Sequence, residues 1–573
     1  MTNKQTPLSY WEKRAVEQDA KLHHDIKAPE QTILKSYIRA QEYLKSETKK
    51  IFDRYLKDGM TAEELTTALN VTASQSDLNE LIRLAKTTEN KIVKEQLQNF
   101  LSTMAAKARI TRLEMLQAKA AIVVKQLTDI QLQQENSFYI KTIEEAYNQA
   151  AAEAIIAKAD HDIKLTEPMA IPQIDNKQQA VAFINPETGK IVKAVKLTGD
   201  EPITKFKKIS TSQTRRILNL KWYGGNYSSR IWKNTDKLAD TLQELFTAQQ
   251  MSGMSERDMM LELEKQFHVG AYVARRLIRT EANFVAGQAK LMGWREHGVK
   301  QYVLVAVLDF RTSKICREKD GQVFNVEDAK CDGASGNYPP FHSFCRTVAA
   351  AYFGEDTFVG KHKVNSPLGH SFEMPAGSTY QEWENKLIEK YGKNEVAKQQ
   401  IRVENYSDDM KQFAKYRSVI PEDMPQSIEE FQEMKYNGGR DYDLIKLDYR
   451  RRNKLINNPE LLLPNVDSAI IDDRKFTNYL FGGNHEKGLI KGRLITKELG
   501  YDINNYPDFE SEILKRIKLY PSNYVDSNNF GQRFETKLIM LSQDHRPVNL
   551  VAGWMVDSAG THMSTIMIKE AKK

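Results

Sequence analysis

Cysteine, long apolar runs and the common nucleotide-binding motifs are scarce or missing in this chain of 573 residues. Its three cysteines are too few, and odd in number, for a disulfide framework. No apolar run reaches the roughly 18 residues that cross a membrane, and residues 1–14 lack the apolar stretch of a secretory signal. There is no Walker A sequence, no G-x-G-x-x-G after a strand and no H-E-x-x-H, which disfavours nucleotide hydrolysis, dinucleotide chemistry and zincin proteolysis. We therefore expect a protein without a membrane span that stays in a reducing compartment.

Charge of one sign is not in large excess either. The chain has 83 Lys and Arg against 76 Asp and Glu, a formal net charge of +7, which does not by itself indicate nucleic-acid binding. Apolar residues make up 40% of the chain, which is enough for packed cores. At roughly 150 residues per domain, the length predicts about four folding units.

Glycine and proline are absent from residues 60–167, a segment rich in residues that favour helices. We therefore expect residues 1–167 to form a helical N-terminal arm. Within it, Thr61 and Glu64 have the spacing of a capping box, which predicts the start of a helix.

An apolar stripe precedes that capping box. Residues such as Tyr37, Ile38 and Leu44 recur at three- and four-residue spacing, which predicts one apolar face on an amphipathic helix. This face either joins an intramolecular core or docks on another protein. After the arm, residues 168–203 have the pattern of a hairpin-like insertion.

All three cysteines lie in one stretch that follows a Val-rich apolar run, residues 302–308, which predicts a buried strand. The order Cys316-x14-Cys331-x10-His342-x2-Cys345 offers three thiolates and an imidazole, a complete Cys3His set for tetrahedral zinc. The usual short Cys-x-x-Cys pair is absent, so the spacing matches a zinc site only in part. Two alternatives stay open, namely reduced structural cysteines and a catalytic thiol.

The residues around this cluster resemble the MuF-like family of phage head morphogenesis proteins, named after phage Mu protein F. The family often has a second cysteine where this chain has Thr347. The resemblance covers residues 204–352 and predicts a MuF-like domain over residues 204–353. It is carried by the segment from Trp222 to Trp232, Ile278-Arg279-Thr280-Glu281, Asp309-x-Arg311-Thr312-x-x-x-Cys316, Asp320-Gly321 and Pro339-Pro340-x-His342-x-x-Cys345-Arg346.

The resemblance implies a minor head protein that is carried in few copies inside the phage head near the portal. The implied role is in procapsid assembly, DNA packaging or ejection, with portal, scaffold and capsid proteins as partners. Packaged DNA is a further expected partner, to which the mild basic excess is suited. The implied location is the host cytoplasm during assembly and the virion afterwards. The resemblance implies no established reaction.

The remainder of the chain is predicted to have three parts. Residues 354–437 form a helical connector, residues 438–465 a basic linker, and residues 466–573 a unit of the size of a domain. The basic run at residues 449–454 is interpreted as a solvated linker face rather than a nucleic-acid site, because no aromatic residues interleave with it.

Residues 466–573 contain a glycine-rich loop, a helix that is predicted to end at Gly500, and strand-like segments. The pattern resembles small C-terminal domains of polymorphic toxins and of some phage minor head proteins, and some of these domains are grouped with ribonuclease folds. It is carried by Lys475-Phe476, His485-x-Lys487-Gly488, Gly500-Tyr501, Trp554 and Thr565. Cleavage of RNA would need a base, an acid and cations that hold the phosphate. His485, Lys487 and Lys491 are the candidates that the resemblance implies. The alternative for His485 is a loop histidine that caps a helix.

These observations predict a multidomain, mainly α protein with an α+β MuF-like core and a small α+β C-terminal domain, in which a helix packs on an antiparallel sheet. The predicted function is a phage minor head protein with a C-terminal effector, and any enzymatic activity would be that of an endoribonuclease. One alternative is a polymorphic-toxin-like ribonuclease carried by a phage-derived delivery module. Another is a C-terminal domain that binds a partner without catalysis. Structural zinc is the cofactor that the sequence suggests.

Overall fold

The computed structural model describes residues 8–55, 60–86, 88–105, 107, 110–158, 171–175, 180–185, 188–196, 209–354, 361–364, 366–369, 371–375, 377–437 and 439–570. The chain splits into two compact units, Met1–Leu387 and Ile388–Lys573, which we call unit 1 and unit 2. Residues 204–208 of the predicted MuF-like domain and parts of the predicted insertion lie outside the described residues. Within the described residues, no helix is both long and apolar enough to cross a membrane.

Unit 1 is mainly helical, and its two longest helices pack against each other. Together with two further helices they enclose one core, which includes Leu44, Tyr139, Leu242 and Ile278. The helices are α1 (Leu8–Asp25), α2 (Lys27–Tyr55), α3 (Ala62–Leu69), α4 (Gln75–Ala85), α5 (Lys91–Ala105), α6 (Arg112–Lys158), α7 (Thr211–Leu218), α8 (Tyr227–Leu245), α9 (Ala248–Ser252), α10 (Glu256–His297), α11 (Lys314–Lys319) and α12 (Tyr380–Tyr391), the last of which crosses the boundary between the units. Because α10 packs on both α2 and α6, the predicted arm and the predicted MuF-like domain share one compact unit.

The apolar face of α2 lies inside this core. Tyr37 and Leu44 are almost completely buried, whereas Ile38 is 53% exposed. Ile33, which the predicted stripe did not include, is buried instead. The intramolecular interpretation of the stripe is therefore confirmed for its buried members, because their side chains pack within the chain itself.

Among its described residues, the strands of unit 1 form three small antiparallel sheets. The first, β1 (Ile171–Asp175), β2 (Ala180–Ile184) and β3 (Ile191–Lys196), falls in the predicted hairpin-like insertion. The second has the order β5-β4-β6 and consists of β4 (Gln301–Val305), β5 (Val323–Asn325) and β6 (Val348–Tyr352). The third pairs β7 (Lys361–Val364) with β8 (Phe372–Pro375). Strand β4 ends at Val305 rather than continuing to Leu308, because the Ala306 N–H donates to the Asp320 carboxylate instead of to a strand.

Unit 2 contains helices followed by a four-stranded antiparallel sheet of order β12-β11-β10-β9. The helices are α13 (Lys393–Glu404), α14 (Tyr406–Arg417), α15 (Ile428–Tyr436), α16 (Arg440–Asn457), α17 (Glu486–Leu499) and α18 (Tyr506–Arg516). The strands are β9 (Ser522–Asn528), β10 (Gly531–Leu541), β11 (Pro547–Asp557) and β12 (Gly560–Ile568). Phe476, Ile495, Phe509, Leu538 and Trp554 lie in the core between the helices and the sheet. The chain is thus multidomain and mainly α, with a small α+β domain at its C-terminus.

The segment predicted as a basic linker is largely helix α16. Arg450 and Lys454 are exposed, as a solvated face requires, but Arg452 is only 4% exposed. Arg452 forms ion pairs with Asp448 on its own helix and with Asp423 in the turn before α15. The interpretation of this run as a solvated linker is therefore wrong at Arg452, because its buried guanidinium is neutralised by two buried carboxylates.

Candidate functional site

Two segments of unit 1 bring three of the predicted metal ligands together. Cys316 lies on α11, whose N-terminus is capped by Ser313 through a hydrogen bond from the Cys316 backbone N–H. His342 and Cys345 lie on the segment that leads into β6. Since β4 and β6 pair antiparallel, with Val305 opposite Val348, the segment after β4 and the segment before β6 meet at the same end of the sheet.

The distances within this cluster are short. The Cys316 Sγ lies 3.7 Å from the Cys345 Sγ and 3.2 Å from the His342 Nε2. The three ligand atoms all lie within 4.8 Å of one another. Both thiols are buried, and the imidazole is half-buried. We call Cys316, His342 and Cys345 the thiol–imidazole cluster.

Hydrogen bonds in the cluster favour one negative and one positive charge. The hydrogen bond with the Cys345 thiol, helped by those with His342 and Ser313, lowers the pKa of Cys316 against the opposing effect of burial. The hydrogen bond with Cys316 in turn raises the pKa of His342. The pKa of Cys345 is raised, because its proton is shared with the Cys316 sulfur and because its side chain is buried. These shifts favour the charged forms of Cys316 and His342 and the protonated form of Cys345.

The imidazole ring has a defined orientation. Its Nδ1 lies 2.8 Å from the Ser343 carbonyl oxygen, which can only accept a hydrogen bond, so Nδ1 carries a proton. In the neutral ring the lone pair is therefore on Nε2, the atom that faces Cys316. The Ser313 hydroxyl lies 2.8 Å from the same Nε2.

Cys331, the fourth predicted ligand, lies outside the cluster. Its thiol donates to the Pro339 carbonyl oxygen over 3.3 Å and packs at the edge of two apolar cores. Burial, with smaller contributions from Asp332 and Glu281, raises the pKa of Cys331 to about 12. The structure therefore brings together Cys316, His342 and Cys345 but not the complete Cys3His set.

Comparison with known proteins gives two family matches, one in each unit. The first covers the segment from α8 to β6 and therefore contains the thiol–imidazole cluster. Residues 240–350 match the family of Phage Mu protein F like proteins. The match supports a phage head-related protein, and we call residues 240–350 the MuF-like segment. It is shorter than the predicted domain at residues 204–353.

Residues 462–568 match a family described only as a domain of unknown function, DUF6883. Because this description carries no activity, it gives no support to a toxin-like domain. The comparison with curated proteins and the comparison with solved structures gave no match.

Other residues of the MuF-like segment hold the cluster in place. Asp309 and Arg346 form a bidentate ion pair with both N–O distances at 2.6 Å, which joins the segment after β4 to the segment before β6. The hydrogen bonds with Arg346 act against burial and lower the pKa of Asp309. From α10, the Asn283 amide donates to the Cys345 carbonyl oxygen, and the Thr280 hydroxyl accepts from the Phe344 N–H. The sequence analysis missed the ion pair, these two hydrogen bonds and the position of Ser313. Only Ser313 left a signal in the sequence, because serine is a favoured N-cap residue.

In unit 2, His485 is the N-cap residue of α17. Its Nδ1 accepts the Gly488 N–H over 3.2 Å, and its ring lies against Tyr479 with the ring centroids 4.8 Å apart. This is the capping geometry that the sequence analysis kept as the alternative for His485. Because Nδ1 accepts here, the neutral ring carries its proton on Nε2. In this geometry the ring can donate a hydrogen bond to an anion but cannot take a proton at Nε2.

The two lysines near His485 differ in their contacts. Lys491 donates to the Thr565 hydroxyl on β12 over 2.9 Å and lies over the Tyr479 ring. Lys487, one turn earlier on α17, is exposed. Lys491 is thus held against the sheet, whereas Lys487 points into solvent next to the capped helix end.

Proposed function

We propose that this chain is a phage minor head protein that acts near the portal during procapsid assembly, DNA packaging or ejection. The observation that carries the proposal is the match of residues 240–350 to Phage Mu protein F like proteins. These residues are not an appended module, because α10 contributes to the same core as α2, α6 and α8. Unit 1 would therefore bind portal, scaffold or capsid proteins as one body.

An exposed apolar area on α10 supports such an interaction. Val269 and Tyr272 are 51% and 52% exposed, and the Tyr272 ring lies near that of Phe344, with the centroids 6.5 Å apart. Exposed apolar side chains that cluster in this way are typical of protein interaction sites.

The experiment is to purify heads from an induced lysogen and to measure the chain in them by quantitative mass spectrometry. A chain truncated after Leu387 is expected to enter the heads as the full chain does. A full chain with Tyr272→Asp and Phe344→Asp is expected to be depleted from heads, while Ile38→Asp, at another exposed apolar residue, serves as the matched control. Absence of the wild-type chain from purified heads would remove the proposal.

The second candidate function is an RNA-directed effector activity in unit 2, and the geometry at His485 favours it. An exposed helix N-terminus, the Nε2–H of His485 and the exposed Lys487 are donors to an anion such as a phosphate. This arrangement suits binding of the phosphate better than it suits proton abstraction by His485, because Nδ1 is already used by the cap.

His485→Asn separates the two roles of this residue, because asparagine is a good N-cap but has no imidazole. The full chain and the variant are compared for slowed growth on expression and for cleavage of total RNA. We expect the wild type to cleave RNA and the variant to be folded but inactive. A wild type without any cleavage would leave unit 2 as a binding module, and an active His485→Asn variant would exclude His485 from the chemistry.

A further inference from the structure

We propose that Cys316, His342 and Cys345 bind one zinc ion, and that the fourth coordination position is taken by the Ser313 hydroxyl or by water. This site differs from the Cys3His set of the sequence, because Cys331 takes no part in it. The inference goes beyond the proposed function and does not depend on it, since it rests on the geometry of the cluster alone.

The spacing of the ligand atoms agrees with tetrahedral zinc. With Zn–S bonds of about 2.3 Å and Zn–N bonds of about 2.0 Å, tetrahedral angles place two sulfurs roughly 3.8 Å apart and a sulfur and a nitrogen roughly 3.5 Å apart. The observed Sγ–Sγ distance is 3.7 Å and the shorter S–N distance is 3.2 Å. The Cys345 sulfur and the His342 nitrogen lie within 4.8 Å of each other, so a movement of at most about 1.3 Å at His342 would complete the arrangement.

The orientation of His342 is the one that a zinc ligand needs. A ligating imidazole commonly donates its other ring N–H to a carbonyl or carboxylate, which fixes the tautomer and aims the lone pair at the metal. Here Nδ1 donates to the Ser343 carbonyl oxygen over 2.8 Å, and Nε2 faces the cysteine side of the cluster. Ser313 lies next to the same nitrogen, so its hydroxyl oxygen is within reach of the fourth position.

The two sulfur ligands and the nitrogen ligand of this cluster indicate which metal it would bind. Two thiolates balance the charge of a divalent ion, and sulfur with imidazole nitrogen favours zinc over magnesium or calcium, which prefer oxygen ligands. A cluster of iron and sulfur held by four cysteines is excluded, because the whole chain has only three. On binding, each thiol that is still protonated releases its proton to solvent, so no oxidant or reductant is required.

Such an ion would fasten α11 to the segment before β6. The Asp309–Arg346 ion pair joins the same two segments on one side of the cluster, and α10 holds the second segment through Asn283. Zinc would add a link between the segments directly at Cys316 and Cys345, where both side chains are buried.

The test uses the full chain purified without chelators. Metal content is measured by mass spectrometry, and the ligands are read from the X-ray absorption of bound zinc and from the charge-transfer bands of the cobalt-substituted protein. We expect about one zinc per chain with two sulfurs in its coordination shell, and at least a tenfold loss of zinc affinity in Cys316→Ser and Cys345→Ser. The matched control is Cys331→Ser, which removes the third thiol and should bind zinc as the wild type does.

Three results would overturn the proposal. One is wild-type protein that takes up no zinc when zinc is added. Another is loss of zinc in Cys331→Ser with retention in Cys316→Ser. The third is a Cys316–Cys345 disulfide in protein kept reduced throughout purification, since it would assign the close thiols to redox chemistry. Should the serine variants fail to fold, the sulfur count in the wild-type absorption spectrum still decides, because a zinc shell without sulfur would contradict the proposal.

Discussion

Replacing Asp423 by alanine should lower the free energy of unfolding of unit 2 more than any single change at its surface. Asp423 is completely buried and accepts two hydrogen bonds from Arg516, over 2.9 and 2.7 Å, as well as one from Arg452. Arg516 and Arg452 are themselves only 7% and 4% exposed. Asp448, which accepts from Arg452 and from the Tyr520 hydroxyl, completes this buried network.

The expected loss of stability in Asp423→Ala follows from the burial of its ion pairs. Removing one partner of a buried ion pair typically costs about 3–5 kcal/mol, because the other charge is left without compensation in a low-dielectric environment. Asp423→Ala leaves two arginines in this situation, while Asp448 still compensates Arg452 in part. We therefore expect a loss of about 3–5 kcal/mol, which at about 1.4 kcal/mol per factor of ten raises the equilibrium constant for opening by roughly two to three and a half orders of magnitude.

The measurement is hydrogen–deuterium exchange of the full chain, followed by peptides of β10 and β11. Arg516 also donates to the Ile539 carbonyl oxygen on β10, so the sheet senses the network directly. Peptides of unit 1 should exchange as in the wild type. Asp472→Ala, which breaks an exposed pair with Arg474, is the matched control and should leave the exchange of β10 unchanged. Equal protection of β10 in Asp423→Ala and the wild type would refute the reasoning.

Three further predictions concern truncation, pH and packing. A fragment of residues 388–573 should give the blue-shifted fluorescence of buried Trp554, its single tryptophan. Residues 466–573, which lack Asp423 and the α16 residues Asp448 and Arg452, should give a red-shifted spectrum, and equal spectra would show that the network is dispensable. Burial raises the pKa of Glu135 from 4.5 to about 8, so the folded state binds the extra proton and stability should fall as pH rises from about 4.5 to 8. In Glu135→Gln this fall, on the order of 5 kcal/mol, should shrink in thermal unfolding at several pH values, and an unchanged slope would contradict the assignment. In Gly492→Ala the new Cβ would lie 1.8 Å from the Leu480 carbonyl oxygen, so we expect destabilisation by about 1–3 kcal/mol in urea unfolding. Gly253→Ala, whose Cβ would have no neighbour nearer than 3.5 Å, is the control. Equal midpoints for the two variants would argue against close packing of α17.

Local signals in the sequence predicted much of the fold. The Thr61–Glu64 capping box is present at the start of α3, and Gly500 ends α17 in the left-handed conformation. Both depend on a few neighbouring residues, whose hydrogen bonds and backbone preferences are visible in the sequence. The strand-like segments after residue 530 likewise correspond to β10, β11 and β12, whose apolar residues are buried against the helices.

Strand β9 was not predicted, because its sequence is polar and most of its side chains are exposed. It is a strand because it pairs with β10, where Tyr524 packs edge-on against Phe534. Pairing of this kind depends on a partner strand rather than on the alternation of apolar residues.

Which residues take part in the candidate site also depends on contacts between residues far apart in the sequence. Sequence order offered four zinc ligands, but it does not indicate that the Cys331 thiol faces a backbone carbonyl. Arg516 and Asp423 are 93 residues apart, so neither the buried network nor the extent of unit 2 could be read from local composition. The ring orientation of His342 depends on the backbone of its neighbour Ser343, which only the folded loop reveals.

The burial of Arg14 has a consequence for synthesis of the chain on the ribosome. Arg14 on α1 is fully buried, donates to Gln149 on α6, 135 residues later, and pairs with Glu153, which also contacts Lys290 on α10. At translation speeds of about 5–20 residues per second, α1 leaves the ribosome on the order of ten seconds before its first partner on α6 is made. During that interval neither Gln149 nor Glu153 is available to this charged side chain, which ends in the interior. Docking of α1 is therefore a late event in the growth of the nascent chain, although this helix is the first to be synthesised among those described.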